Sequence, residues 1–334
     1  MKAAPLLRLH HYALVAGLAL VLSFAGCREA PPGFAPGIVP PVEKLDTCMC
    51  SDKIDSITFV STPVKELPAP KFSDTLKGYP FGTKIFLLAD SLPKDTKFEI
   101  STSMGEKWTE ANCLIVTDSV EAWGRLKCKN IISPVVKIKV HPYYERVVVV
   151  GNSITSHGPS AEMGWYGDWG MAASAKDKDY LSQVSQKLKM LNPNVQIRVN
   201  FDVGFETNYN SYDFEKLNDL ANFAPDLVIM RIGENTNMKY LNDYQGKYDQ
   251  YILKLISKSN AKVICSTTFW RSTIEATYRI RNIAQLRGYH VAELEPLSQD
   301  SIYTAKGLFS NSAVAGHPGD KGMKAIADII IKEL

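Results

Sequence analysis

Three short stretches in the second half of the chain place reactive side chains beside glycine at the borders of apolar runs. Gly151, Asn152, Ser153, Ile154 and Thr155 follow the run at 147–150. Gly233, Glu234 and Asn235 follow 227–232, and Gly316, His317, Pro318 and Gly319 precede the last helical stretch. A serine two residues past a buried strand is presented at the edge of a sheet, and a glycine ahead of it lets the backbone turn without a side-chain clash. The same serine could instead cap the next helix. A neutral imidazole is the usual base that takes a serine's proton, although a histidine in a loop is also an ordinary surface residue. An asparagine amide can face an oxygen that becomes negative during acyl transfer, as an oxyanion hole requires, and asparagine is equally a common turn residue. Gly204, after the run at 195–199, offers a backbone N–H to the same place. Singly these signals are weak; together they make a nucleophile (Ser153), a base (His317) and oxyanion donors (Ser153, Gly204, Asn235).

The elements that must hold them read as alternating strands and helices. The unbroken β-branched run at 147–150, with comparable runs at 195–199, 227–232, 262–265 and 290–292, has the character of strands buried on both faces. Helical stretches are expected at 172–191, 213–222, 243–259, 272–287 and 321–332. Such alternation implies a parallel sheet with helices on both faces, and the residues just past each strand are where a site gathers.

Residues 151–155 resemble the GDSxT block of the SGNH or GDSL hydrolases, with Asn152 in place of the usual Asp. Gly204 matches the glycine of the second block, Gly233 and Asn235 resemble the third, and His317 with Pro318 resembles the last. The resemblance covers roughly 145–334. It implies a three-layer α/β/α sandwich around a five-stranded parallel sheet, and ester hydrolysis through an acyl-serine with no metal and no organic cofactor. One departure stands out: the family places Asp three residues before the histidine, and here that residue is Val314. The ring must be oriented by a backbone carbonyl or by an acid from elsewhere, with Asp168, Glu206, Glu234 and Asp320 as candidates. Asp320 is better explained as a cap of the last helix.

The N-terminal half is organised differently. Residues 1–26 carry Lys2 and Arg8, then an apolar core of signal-peptide length, and end in Ala25 and Gly26 before Cys27, which resembles the lipobox of bacterial lipoproteins. Residues 27–45 are a proline-rich tether behind a lipidated Cys27, so that the chain is expected to be exported and held on an outer membrane or cell surface. Residues 46–144 carry short runs at 56–60, 83–88, 97–101, 113–116 and 135–140 without long helical periodicity, which reads as a small all-β, sandwich-like domain ahead of the catalytic domain at 145–334. An oxidising compartment permits bridges between Cys48 or Cys50 and Cys113 or Cys128, in a pairing that sequence does not choose. A four-thiolate zinc site is disfavoured by the tight 48/50 spacing, and Cys265 reads as a buried small hydrophobe. With 22% charged residues and a net charge of +3, the chain has the composition of a globular protein and no basic run or recognition pattern suited to nucleic acid.

Trp165, Tyr166 and Trp169 put three aromatic rings into five residues after the nucleophile. Aromatic faces suit sugar rings, and tryptophans in such a run are as often core. With no long apolar lid segment, small acyl groups on carbohydrate, acetyl above all, are the expected substrates. Two other readings stay open: a catalytically inactive glycan-binding protein, for which the missing Asp speaks, and an acyltransferase using the same acyl-serine.

Overall fold

The computed structural model describes residues 58–60, 65–76 and 78–334. The expected signal segment at 1–26, the tether at 27–45, the lipid site Cys27, and Cys48 and Cys50 lie outside the described residues. All described residues fall in one compact unit running from 37 to 334.

The second half is a five-stranded sheet in which every neighbouring pair is parallel. Its strands are β1 (Arg146–Gly151), β2 (Gln196–Phe201), β3 (Leu227–Arg231), β4 (Lys262–Ser266) and β5 (His290–Ala292), in spatial order β2-β1-β3-β4-β5. Alternation along each strand sends successive side chains to opposite faces. Val147 and Val149 join Leu227, Ile229 and Ile264 in one core. Val148 and Val150 join Val228, Met230, Val263 and Cys265 in a second. The valine run is therefore buried twice over, which is why no polar residue interrupts it.

Each core is closed by helices. Helix α1 (Tyr180–Leu191) and the C-terminal helix Asp320–Lys332 cover the first core, through Tyr180, Val184, Leu188, Met323, Ile326 and Ile330. On the other face lie α2 (Val203–Asn208), α3 (Asn218–Asn222), α4 (Leu241–Leu255) and α5 (Ile274–Arg287). The last turn of the chain before its final helix is α6 (Ser312–Ala315), so Asp320–Lys332 is α7. The result is the three-layer sandwich expected from the resemblance.

The helix expected from residue 172 starts only at Tyr180. Ala172 has a left-handed φ of 74°, and Asp179 caps the helix by accepting from Ser182 N at 2.6 Å. Periodicity alone extended that helix because the intervening alanines are apolar without being helical. Helices α2 and α6 are not expected from the sequence, since runs of six and four residues are too short to display a period.

The first half is β-rich. Lys97–Ser101, Thr109–Glu110, Val120–Cys128, Ile131–Ile132 and Val136–Val140 form an antiparallel sheet around the long Val120–Cys128 strand. Lys71–Phe72, Lys84–Leu88 and Cys113–Ile115 form a second antiparallel sheet. Ile85 and Leu87 of one pack with Phe98, Ile100, Ala122, Leu126, Ile138 and Val140 of the other in a single apolar core. Lys262 on β4 reaches Asp118 of this region, Nζ to Oδ1 at 2.8 Å. Cys113 is disulfide-bonded, whereas Cys128 is a free, buried thiol within 3.7 Å of the Lys94 carbonyl. Cys265 is also free, and burial pushes its thiol up to about 12, so it is inert at neutral pH.

Candidate active site

Ser153 stands just beyond β1 at the carboxyl edge of the sheet, and its Oγ lies 2.9 Å from Nε2 of His317. The pair is separated by 164 residues in sequence. What lets Ser153 sit there is the close fit of its flanks. A Cβ on Gly151 would fall 1.9 Å from Thr155 Oγ1, and that hydroxyl is itself tied to Tyr180 Oη at 2.7 Å. Gly151 is thus required by the close approach of Thr155, and the G-x-S-x-T spacing is one packing unit. On the far side, Met171 N donates to the Ser153 carbonyl at 2.9 Å.

His317 is delivered by α6. Asn311 caps this single turn, accepting from Ala313 N and Val314 N, and the turn leaves the Ala313 carbonyl 2.7 Å from His317 Nδ1. A carbonyl only accepts, so Nδ1 carries the proton and Nε2 is left with a lone pair facing the serine hydroxyl. Val314, where an acid is usual, is fully buried with Trp165, Met171, Ala172 and Ala305. The ring packs edge-on against Trp270, with centroids 4.9 Å apart, and Trp270 Nε1 donates to the Gly316 carbonyl at 2.8 Å. Burial is the largest cause that pushes the imidazole down to about 4, with His157 and Arg231 acting the same way. The Ala313 carbonyl and Glu234 oppose them. At neutral pH the ring is therefore a neutral base.

None of the four candidate carboxylates bonds to that ring. Asp320 accepts from Ser174 N and Oγ at 2.8 and 2.7 Å, in the first turn of α7. Asp168 is exposed. Glu206 and Glu234 instead lie buried behind the nucleophile, where they meet Asn152. Its Nδ2 donates to Glu206 Oε1 at 3.0 Å and to Glu234 Oε2 at 2.6 Å. Glu234 also accepts from the fully buried Arg231 at 2.7 Å and from Phe269 N at 2.7 Å. Asn suits this place where Asp would not: its amide can donate to both carboxylates, whereas an ionised Asp has no proton to give. Burial, and then Glu234, push the Glu206 carboxyl above the usual carboxylate range, against the pull of Asn235, Gly233 and Asn152.

Of the three oxyanion candidates, Asn235 is held by the same carboxylate, together with the neighbouring Gly233. Glu206 accepts from Gly233 N at 2.5 Å, Asn235 N at 3.2 Å and Asn235 Nδ2 at 2.8 Å. Gly233 has φ 141°, and a Cβ there would stand 2.8 Å from Thr268 Cγ2, so only glycine fits the turn. Gly204 is exposed in the first turn of α2, where backbone N–H groups have no partner within the helix. Of the aromatic run, Trp165 is buried and donates to the His157 carbonyl at 3.0 Å, and Trp169 donates to Ala173 at 2.9 Å. Their rings meet edge to face, 5.7 Å apart. Only Tyr166, 74% exposed, is free to meet a ligand face.

Sequence reasoning offered a backbone carbonyl without identifying Ala313, and missed Arg231 and the bridging role of Asn152. The carbonyl had a readable signal: asparagine, small residues and then glycine over 311–316 describe a capped helical turn four residues deep before the histidine. The bridging role of Asn152 had none, because its partners lie 54 and 82 residues away; Arg231 lies only three residues from Glu234, but inside a strand that reads as apolar.

Fold and site together define a three-layer α/β/α protein with a serine and a neutral histidine in hydrogen-bond contact at the sheet's carboxyl edge. Among the described residues no group of three or more His, Cys, Asp or Glu is arranged to hold a metal, and no helix is long and apolar enough to cross a membrane. No family model and no curated protein matches the chain. Solved structures to which it is similar include an acetyl xylan esterase from Geobacillus stearothermophilus, at 18% identity and TM-score 0.39 over 57% of this chain and 94% of that one. A two-domain esterase active on acetylated mannans is similar at 17% identity and TM-score 0.37, over 56% of this chain and 47% of that one. A member of the lipolytic protein G-D-S-L family from Veillonella parvula is similar at 12% identity and TM-score 0.36, over 56% and 97%.

Proposed function

We propose that this chain is a serine esterase that removes small acyl groups, acetyl foremost, from carbohydrate. The observation that carries the reading is the 2.9 Å contact between Ser153 Oγ and an imidazole nitrogen whose lone pair is free because its partner nitrogen is bound to Ala313 O. A binding protein has no use for that tautomer in that place.

In the proposed reaction Ser153 Oγ attacks the ester carbonyl while His317 Nε2 takes its proton. The carbonyl oxygen becomes negative and is met by the backbone N–H groups of Ser153 and Gly204 and by the Asn235 amide. Collapse breaks the bond to the sugar oxygen, which leaves with the proton from His317, and the acyl group stays on Ser153. Water then repeats the sequence with the same base and releases the acid. The imidazolium formed on the way has a carbonyl at Nδ1 and the field of Glu234 nearby in place of a directly bonded carboxylate.

Tyr166 is the exposed ring available to a sugar face. Export through 1–26, with a lipid on Cys27 as membrane anchor, completes the proposal and places the enzyme where glycans are met. The test is acetate release from 4-nitrophenyl acetate, acetylated xylan and acetylated mannan, together with labelling by a fluorophosphonate. Ser153→Ala should abolish both. Wild-type protein that is neither labelled nor active would leave the glycan-binding reading, and a preference for long-chain esters would overturn the substrate class. Transfer of acetyl to added sugar in preference to water would favour the acyltransferase.

A further inference from the structure

Glu206 is fully buried, ionisable, and has no part in the proton transfers between Ser153 and His317. Its contacts are unusual in being all of one kind. Oε1 accepts from Asn152 Nδ2, Gly233 N and Asn235 N, and Oε2 accepts from Asn235 Nδ2. Four N–H contacts on two oxygens are the surroundings of an ionised carboxylate.

We propose that Glu206 is a positioning residue that aims the Asn235 side-chain amide at the oxyanion. The inference rests on the esterase reading and adds a residue to it. A primary amide has two N–H groups fixed in one plane. With one held by Glu206 Oε2 at 2.8 Å, the other is directed away from the carboxylate. Rotating the amide by half a turn would set Asn235 Oδ1 against Glu206 Oε2, two acceptors with no proton between them, so the carboxylate also selects which end of the amide is presented. The backbone contacts to Gly233 N and Asn235 N fix the turn that carries the amide. Asn152, next to the nucleophile, is held by the same Oε1, which ties serine and oxyanion donor to one anchor.

Glu206→Gln keeps the shape and offers an N–H donor. Its amide can accept from the native Asn235 through the oxygen or donate to the flipped one through the nitrogen, so the selection is lost. The experiment is a double-mutant cycle on 4-nitrophenyl acetate with Glu206→Gln, Asn235→Ala and the pair, each checked for folding by thermal unfolding. Removing an oxyanion donor lowers kcat by roughly a hundredfold or more. Glu206→Gln is expected to lower kcat by about tenfold to a hundredfold with KM changed less than about threefold, and to cost nothing further in the Asn235→Ala background. The same loss in both backgrounds, or kcat within about threefold of wild type, overturns the proposal.

Should Glu206→Gln not fold, the wild-type protein decides. In a 15N-labelled sample the Asn235 side chain, assigned by its absence in Asn235→Ala, should show one Nδ2 proton protected from exchange. The other should shift when a fluorophosphonate occupies Ser153. Two equivalent, freely exchanging protons overturn the proposal. Wild-type protein without turnover or labelling would instead sink the esterase reading itself.

Discussion

Acid should spare the proposed chemistry longer than it spares that of an ordinary histidine-dependent enzyme. The perturbation is pH, and the group that reads it is His317, pushed down from 6.5 to about 4 chiefly by burial. At pH 5 a base of pKa about 4 is roughly nine-tenths neutral, whereas an unperturbed imidazole is only about 3% neutral, a gap of about thirtyfold in competent enzyme. The assay is kcat/KM for acetate release between pH 4 and 8, since this ratio reports the free enzyme. It should hold its plateau down to about pH 5 and fall to half near pH 4. Folding has its own dependence on the same group. The unfolded chain takes up the proton near 6.5 and the folded one only near 4, so this contribution is complete above 6.5 and is lost as pH falls between the two values. The loss sums to about 3 kcal/mol. Circular dichroism at each pH separates the two effects. A half-point near 6.5 in protein that is still folded would refute the reasoning, because it would mean that the ring is solvated rather than enclosed by Trp270 and α6.

Asn152→Asp would replace the shared donor by a third carboxylate beside Glu206 and Glu234, with Arg231 the one guanidinium bonded to the group. A loss of about 3–5 kcal/mol in denaturant unfolding at pH 7 is expected. The new carboxyl's folded pKa is raised, so the deficit relative to wild type should shrink as pH falls towards 4. Val314→Asp, which installs the acid found there in the family the sequence resembles, should not build a triad. It buries a charge among Trp165, Met171 and Ala305 and should cost about 3 kcal/mol or more without raising kcat/KM. Gly151→Ala forces a methyl group into Thr155 and should lower stability by about 1–3 kcal/mol, seen as a drop in melting temperature.

Much of this protein can be read along the chain. The central strands announce themselves because a strand buried on both faces is nearly all apolar, and Val147 to Val150 have no alternative role, whereas the edge strand β2, expected to be buried on both faces, is largely exposed. Ser153, His317, Gly204 and Asn235 are legible as candidates because the ends of such strands are where side chains become accessible together. What orients them is another matter. The sequence shows that an acid is missing at 314 and leaves a backbone carbonyl as one replacement; the capped turn at 311–316 points to it, but only the fold brings the Ala313 carbonyl to the ring. The sequence cannot show that Asn152 suits two glutamates 54 and 82 residues away, or that the tryptophans of the aromatic run turn inward and leave Tyr166 outside. Strand and helix follow from local pattern, which a few consecutive residues contain; hydrogen-bond partners in a buried site are set by which segments the sheet order brings side by side, and only the folded chain decides that.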